Sequence, residues 1–275
     1  MDISGWSYYK HAVIPTCEPQ DVPDLNPISN KSIWKIKGGF PVFARWTTDF
    51  DCGYETNWWY VIKDTVFEID KLKAKRRYEI NKGRKNFCVK EINPLDYEKE
   101  LFLIQKTAYS IYPEKYRPVV EEQSFVQNLH NWNGHVVLGA FYRESNELVG
   151  YSLVYEREDR CIDFIAQKVM PDYEKFAINA ALVDGVLEKF NNALCEGKFL
   201  CDGSRNTNHE TFFQDYLEKY FGFRKAYCKL HITYNPRIKW IVKILYPFRK
   251  CLCKFDNIKI IHAICSVFRM EEYSR

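Results

Sequence analysis

The chain has 275 residues and a mass of 32.8 kDa; 46% of its residues are hydrophobic and 16% aromatic. That is enough for one large domain or two small ones with a buried core, and it excludes disordered, collagen-like and low-complexity chains. The formal net charge of +4 conceals an uneven distribution: residues 71–90 carry +8, residues 236–275 carry +6, and the remainder of the chain sums to −10. The first residues, MDISGWSYYKHAV, lack a basic n-region followed by an apolar run, and no stretch of 18 uncharged apolar residues occurs. The expectation is a cytoplasmic protein without a membrane span. The ten cysteines form no CxxC pair and read as reduced thiols.

The first 70 residues are rich in Trp, Pro and Gly and short in helical periodicity; Pro15, Pro19, Pro23 and Pro27 space out a loop-like stretch, and IWKIKGGFPVFARW reads as two short strands around Gly38 and Gly39. Asn57 to Ile69 is a further strand candidate. KLKAKRRYEINKG reads as a basic helix ended by Gly83, followed by an alternating strand from Asn86 to Ile92. Two helices are expected over Asp96 to Ile111 and Val119 to Trp132. A hairpin over 135–155 and a strand over 161–169 follow them. The spacing of Phe176, Ala180, Val183 and Leu187 predicts a long helix over 173–191. A short strand at 198–202, a helix from His209 to Tyr220 and a strand from Arg224 to Tyr234 complete the order. It mixes hairpins with crossovers, so the fold class is α/β, an α+β mixed sheet covered by helices. Three regions are expected: a β-rich extension at 1–70, the main domain at 71–235 and a basic tail at 236–275.

Four stretches carry a family resemblance. VVLGAFYRESNELVGYSLVYE resembles the central hairpin of the GNAT acyltransferases. CIDFIAQKVMPDYEKFAINAALVDGVLEKF resembles their donor-binding strand, loop and helix, and FLCDGSRNTNHETFFQDYLEKYFGFRKAYCKLHITYNP the elements that follow. Within that superfamily the chain is most similar to the Fem-type aminoacyltransferases and related proteins of bacterial surface-glycan clusters. Arg77, Ile80, Lys82, Lys85 and Val89 resemble their R-x-x-I-x-K-x-x-K-x-x-x-V pattern, and Lys219, Phe221 and Gly222 their FK-x-FG signature. The resemblance implies a GNAT-like N-acyltransferase fold with acyl-CoA or aminoacyl-tRNA as donor. The acceptor it implies is an amino sugar or peptide of a glycan or lipid-linked envelope precursor. One departure bears on the donor. Acyl-CoA enzymes of the superfamily resemble one another in a Gln/Arg-x-x-Gly-x-Gly/Ala loop, whereas here Val169 to Ala177 has no glycine and includes Asp172 and Glu174, acids that repel a pyrophosphate. A non-catalytic GNAT-fold binding or regulatory module is the alternative from a different class.

Among individual residues, Arg76, Arg77 and Lys82 suit a phosphate-bearing ligand, although a charge run is also what a solvated helix face looks like. No helix-turn-helix or zinc-finger spacing accompanies them, which argues against double-stranded DNA. Asp163 is placed to bind or deprotonate an acceptor, or else to pair with an arginine such as Arg205. Asp202 and Arg205 open a polar loop suited to ligand contact, with Asn208 as a helix cap. His209 is a general-base candidate because it titrates near neutrality, and reads equally as a surface residue. Tyr216 is a proton donor by analogy with GNAT enzymes, or a core tyrosine. Gln167, Lys168 and Lys219 are candidate ligand contacts. No metal-ligand spacing occurs and no metal is expected. In the tail, Trp240, Ile241, Ile244, Leu245 and Phe248 fall on one stripe, with Lys239, Lys243 and Lys250 on another. That pattern suits a helix lying on an anionic membrane at its inner face, or one packed on its own domain.

Overall fold

In the computed structural model, residues 1–112, 114, 117–206 and 212–275 are described, Lys259 by its backbone alone. In chain order the strands are β1 (Trp6–Tyr9), β2 (Ala12–Pro15), β3 (Phe43–Thr48), β4 (Trp58–Lys63), β5 (Phe87–Glu91), β6 (Val136–Tyr142), β7 (Leu148–Glu156), β8 (Cys161–Val169), β9 (Phe199–Ser204) and β10 (Arg224–Tyr234). The α-helices are α1 (Asn26–Ser29), α2 (Ala74–Asn86), α3 (Glu98–Ser110), α4 (Glu122–Leu129), α5 (Ile178–Cys195), α6 (Phe212–Phe221), α7 (Pro236–Leu245), α8 (Arg249–Leu252) and α9 (Lys259–Tyr273). The chain divides into two units. The first comprises 1–61, 204–213 and 224–275; the second comprises 62–203 and 214–223.

In the first unit the strands run in the order β1, β2, β3, β10, β4. β2 pairs with β3 in parallel, and β1–β2 and β3–β10 pair antiparallel. A hairpin, β1–β2, leads into the proline-spaced stretch. Its Trp6 and Val13 are buried, and Lys10 and His11 supply the left-handed turn conformations, with φ 45° and 67°, usually given by Asn-Gly. Of the two strands expected around Gly38 and Gly39, only β3 forms; Ser32–Lys35 is a 3-10 turn that buries Ile33 beside Val13 and Ala44. Cys253 and Cys265 are joined in a disulfide, which corrects the expectation of ten reduced thiols; the other eight are free. The pairing is possible because the chain reverses between α8 and α9 and brings the two Cα atoms to 5.8 Å.

In the second unit the strand order is β9, β8, β7, β6, β5, antiparallel except for the parallel β8–β9 pair. α3 and α4 contribute Leu101, Ile104 and Phe125 to one core, which Val137 and Tyr151 of the sheet complete. In the other core, α5 buries Ile178, Ala181 and Leu182 against Phe87, Ala140 and Val149. Burial on this scale, at roughly 25 cal/mol per Å² of apolar surface, holds the helices to the sheet.

Two helix boundaries differ from expectation. α2 runs through Gly83 to Asn86, because Gly83 is buried where α2 crosses α5: a Cβ there would lie 2.9 Å from the Ala177 carbonyl oxygen and 2.9 Å from the Ala181 nitrogen. The glycine serves close helix approach rather than termination. The helix expected from residue 173 begins only at Ile178, since Pro171–Phe176 forms a 3-10 turn and Ala177, at φ 68°, breaks the path between them.

Candidate functional site

The parallel pair β8–β9 is held by only three residue pairs, Cys161 with Phe199, Ile162 with Leu200 and Asp163 with Cys201. Past that point β8 continues six residues along β7 and β9 continues to Ser204, so the two strands part at Asp163 and Cys201. A bulge in β8 falls inside the parted segment. Leu153 pairs with Ala166 and Val154 with Phe164, leaving Ile165 without a partner across the β7 register and half exposed. Such a bulge re-aims backbone groups that a regular ladder would consume. Parting parallel strands, with a helix starting after one of them, form a crevice at the carboxyl ends of the strands, the usual ligand position in α/β sheets.

At the point of parting, Cys161, Asp163 and Cys201 share one face, and their ligand-type atoms lie within 4.8 Å of one another. Among the described residues this is the group arranged as a metal would require, yet each member has a protein partner. Cys161 Sγ donates to Asp163 Oδ1 (3.4 Å), Arg157 Nε donates to Asp163 Oδ2 (2.6 Å), and the Gly203 N–H donates to Cys201 Sγ (3.4 Å). The Cys201 sulfur, burial and the nearby Asp163 carboxylate raise the Cys161 pKa, so it remains a thiol. The set is thus satisfied by protein partners. Asp163 is paired with an arginine as one sequence expectation had it, but the partner is Arg157 rather than Arg205.

Asp202 follows on the β9 arm, where its side chain alternates to the opposite face from Cys201. Burial pushes its pKa up from 3.8 to about 7, against the opposing effect of a hydrogen bond with Gln214 in the first turn of α6. Two residues on, Tyr216 is also raised, first by burial and then by Glu79 and Tyr220, and so keeps its phenolic proton. A carboxylate that titrates at neutrality is suited to accepting a proton there, and a tyrosine that stays protonated can supply one.

On the β8 arm, Ser152 Oγ donates to Gln167 Oε1 (3.0 Å), and Gln167 Nε2 donates to Asn179 Oδ1 (2.9 Å), tying β7, β8 and the first turn of α5 together. Lys168 points into the α3 side; burial lowers its pKa, and its ammonium lies 4.8 Å from the Tyr109 ring centre. Gln167 and Lys168 are neighbours in sequence committed to opposite faces. Lys219 is exposed on α6 beside Tyr220. Arg205 belongs to the first unit, stacked between Trp59 (4.3 Å) and Tyr273 (3.8 Å) and donating to the Asn57 carbonyl at 2.7 Å. His209 and Asn208 lie outside the described residues.

The basic helix α2 divides into two roles. Arg84 is structural: it clamps the buried Asp184 of α5 through Nε (2.6 Å) and Nη2 (2.9 Å) and also reaches Glu188. Arg77 donates to the Asp70 carbonyl. Lys73, at the start of the helix, and Lys75, Arg76, Lys82 and Lys85 along it form no side-chain hydrogen bond or ion pair among the described residues. Sequence reasoning missed Arg157, six residues from its partner across the β7–β8 turn, Gln214, and the Arg84–Asp184 clamp, whose members are 100 residues apart. Only the charge of Asp184 on an otherwise apolar helix face signalled one of them.

No protein-family model matches the chain, and no curated protein matches it by sequence. Solved structures do match. The chain is similar to L-PGS from Bacillus licheniformis, at 13% identity and a TM-score of 0.50, over 87% of this chain and 83% of that one. It is also similar to the C-terminal domain (DUF2156) of a putative lysylphosphatidylglycerol synthetase from Agrobacterium fabrum, at 9% identity and a TM-score of 0.53, over 86% and 82% of the two chains. FemX aligns at 9% identity and a TM-score of 0.48 over 70% of this chain and 65% of its own. At such identities the likeness is one of fold. L-PGS and the DUF2156 domain thus share with this chain a mixed α/β fold.

Proposed function

We propose that the chain is an aminoacyl transferase that moves an acyl group from an aminoacyl-tRNA to an amine or hydroxyl of a cell-envelope precursor, an amino sugar or peptide. The reaction takes place where β8 and β9 part. Asp202 accepts the acceptor's proton as the nucleophile attacks the ester carbonyl, and Tyr216 supplies a proton to the departing ribose hydroxyl. The observation that carries this reading is the Asp202 pKa of about 7 on the arm of the parted strands. A general base works best when its pKa lies near the operating pH, and such a group typically contributes about 10²–10⁴-fold.

Aminoacyl-tRNA is favoured over acyl-CoA on two grounds. The α5 amino terminus lacks a glycine approach, has Asp172 and Glu174 before it, and is flanked by the α2 backbone at Gly83. Conversely, the α2 cations that have no ion-pair partner among the described residues are available to phosphate.

The test is binding of charged tRNA, uncharged tRNA, acetyl-CoA and a nucleotide sugar, read by thermal shift and by salt dependence. A donor at 100 times its Kd should stabilise by about 2.7 kcal/mol and move Tm by roughly 2–4 °C. Replacing Lys73, Lys75 and Arg76 by Ala should lower the slope of log K against log salt by about one for each phosphate no longer neutralised. A shift with acetyl-CoA and none with charged tRNA would transfer the reading to acyl-CoA. Absence of any shift would leave a binding module without a transferase role.

A further inference from the structure

α7 has two apolar faces, and its own protein covers only one. Ile238, Val242 and Leu245 are half-buried, whereas Trp240, Ile241 and Ile244 are exposed to 66%, 51% and 64%. At about 100° per residue these three fall on one stripe. Phe248, in the turn that follows, is 62% exposed and extends the apolar surface. Isolated exposed apolar residues are ordinary, but a contiguous stripe of this kind marks an interaction surface.

The surrounding charge identifies the partner. Arg237, Lys239, Lys243, Arg249, Lys250 and Lys254 lie between residues 236 and 258 with a single acid, Asp256. That acid is already engaged within the fold, hydrogen-bonded to His262 Nδ1 (2.6 Å) and paired with Arg269 Nη2 (2.7 Å). Arg249 is occupied with Glu272 and the Tyr246 ring. Arg237, Lys239, Lys250 and Lys254 form no ion pair among the described residues, and Lys243 lies 5.3 Å from the Trp240 ring centre. The surface therefore presents apolar side chains inside a cationic border. A second copy would face it with the same cations in an isologous contact, which opposes self-association. A nucleic acid would leave the apolar stripe in water. The surface is also held in shape: the Cys253–Cys265 disulfide, the Arg249–Glu272 pair and the Tyr246–Phe268 ring contact fasten the α7–α8 segment to α9.

We propose that α7 and the turn after it form a docking surface for an anionic phospholipid bilayer, with the Trp240–Ile244–Phe248 stripe entering the headgroup boundary and the lysines facing lipid charge. At 10 residues and about 1.5 Å each, α7 is about half the length needed to cross the hydrocarbon core, and no helix among the described residues is long and apolar enough to do so. The helix therefore lies in the interface plane, the arrangement of a peripheral amphipathic anchor. This assignment is independent of the transferase reading, since it involves none of the residues of the parted strands.

The test is flotation of the full chain with vesicles of phosphatidylcholine alone and of phosphatidylcholine containing about one-third phosphatidylglycerol, at low and high salt. The expected result is binding to the anionic vesicles only, weakened by salt. Replacing Lys239 and Lys243 by Ala should weaken it about thirty-fold, each lysine near an anionic surface supplying a factor of about five. Ile244→Ser with Phe248→Ser should abolish flotation while circular dichroism stays unchanged, because both side chains are exposed. Failure of the wild-type chain to float with anionic vesicles, or equal flotation with neutral ones, overturns the proposal. So does a dimer, measured by sedimentation equilibrium, that the same serine substitutions dissolve in a chain that does not float.

Discussion

Replacing Asp202 by Asn tests the site without knowledge of any donor. The carboxyl has a pKa of about 7 in the folded chain against 3.8 in the unfolded one, a difference worth about 4 kcal/mol. Because the folded value is the higher, the proton stabilises the folded state fully below about pH 3.8, and this contribution is lost as pH rises through about 7. Between those limits the unfolded chain releases the proton while the folded chain retains it, so wild-type stability falls with pH. The asparagine of the variant keeps a carbonyl oxygen for Gln214 and does not titrate. The stability of Asp202→Asn relative to wild type should therefore grow by about 4 kcal/mol between about pH 4 and pH 8, with most of the growth complete by about pH 7. Urea titrations followed by far-ultraviolet circular dichroism at several pH values measure this difference directly. Parallel stability–pH profiles for the two proteins would refute the raised pKa, and with it the argument for Asp202 as a base. If the base assignment holds, transfer by the wild type rises through about pH 7, and the variant is slower by about 10²–10⁴-fold with that limb gone.

Two other substitutions probe the packing that sets the site. Gly83→Ala is informative by its sign: at an ordinary helix position it would stabilise by up to about 1 kcal/mol, whereas the close approach of Ala177 and Ala181 predicts a loss of about 1–3 kcal/mol in chemical denaturation. Arg84→Ala leaves the Asp184 carboxylate buried and without its clamp. Because Arg84 is itself part-exposed, the expected loss, read from the urea midpoint, is about 2–4 kcal/mol rather than the full cost of breaking a buried pair.

Periodicity marked most elements of the second unit because each buries one face on a single sheet. The strand from Arg224 to Tyr234 was legible to the residue, bounded by Gly222 and Pro236. Legibility failed where a residue's role depends on a distant neighbour. Gly83 is locally a helix terminator, and only the crossing of α5 puts it against another backbone. Lys10 and His11 carry no turn signature, and their turn exists because Trp6 and Val13 are drawn into the same core. The Cys253–Cys265 pair is likewise a product of chain reversal.

The candidate site shows the same division between chemistry that is local and chemistry that is assembled. Asp163 and Asp202 stand on adjacent strands and have similar surroundings in sequence, yet the structure separates them by one alternation of the strand. Asp163 faces Arg157 and the two cysteine sulfurs, where a full positive charge 2.6 Å away satisfies it. Asp202 faces the other way, toward α6, where a neutral amide is its hydrogen-bonding partner and burial is the larger effect. A carboxylate beside a guanidinium is a poor proton acceptor; one desolvated beside an amide gains basicity. Asp202 is therefore the residue suited to exchange a proton at neutral pH.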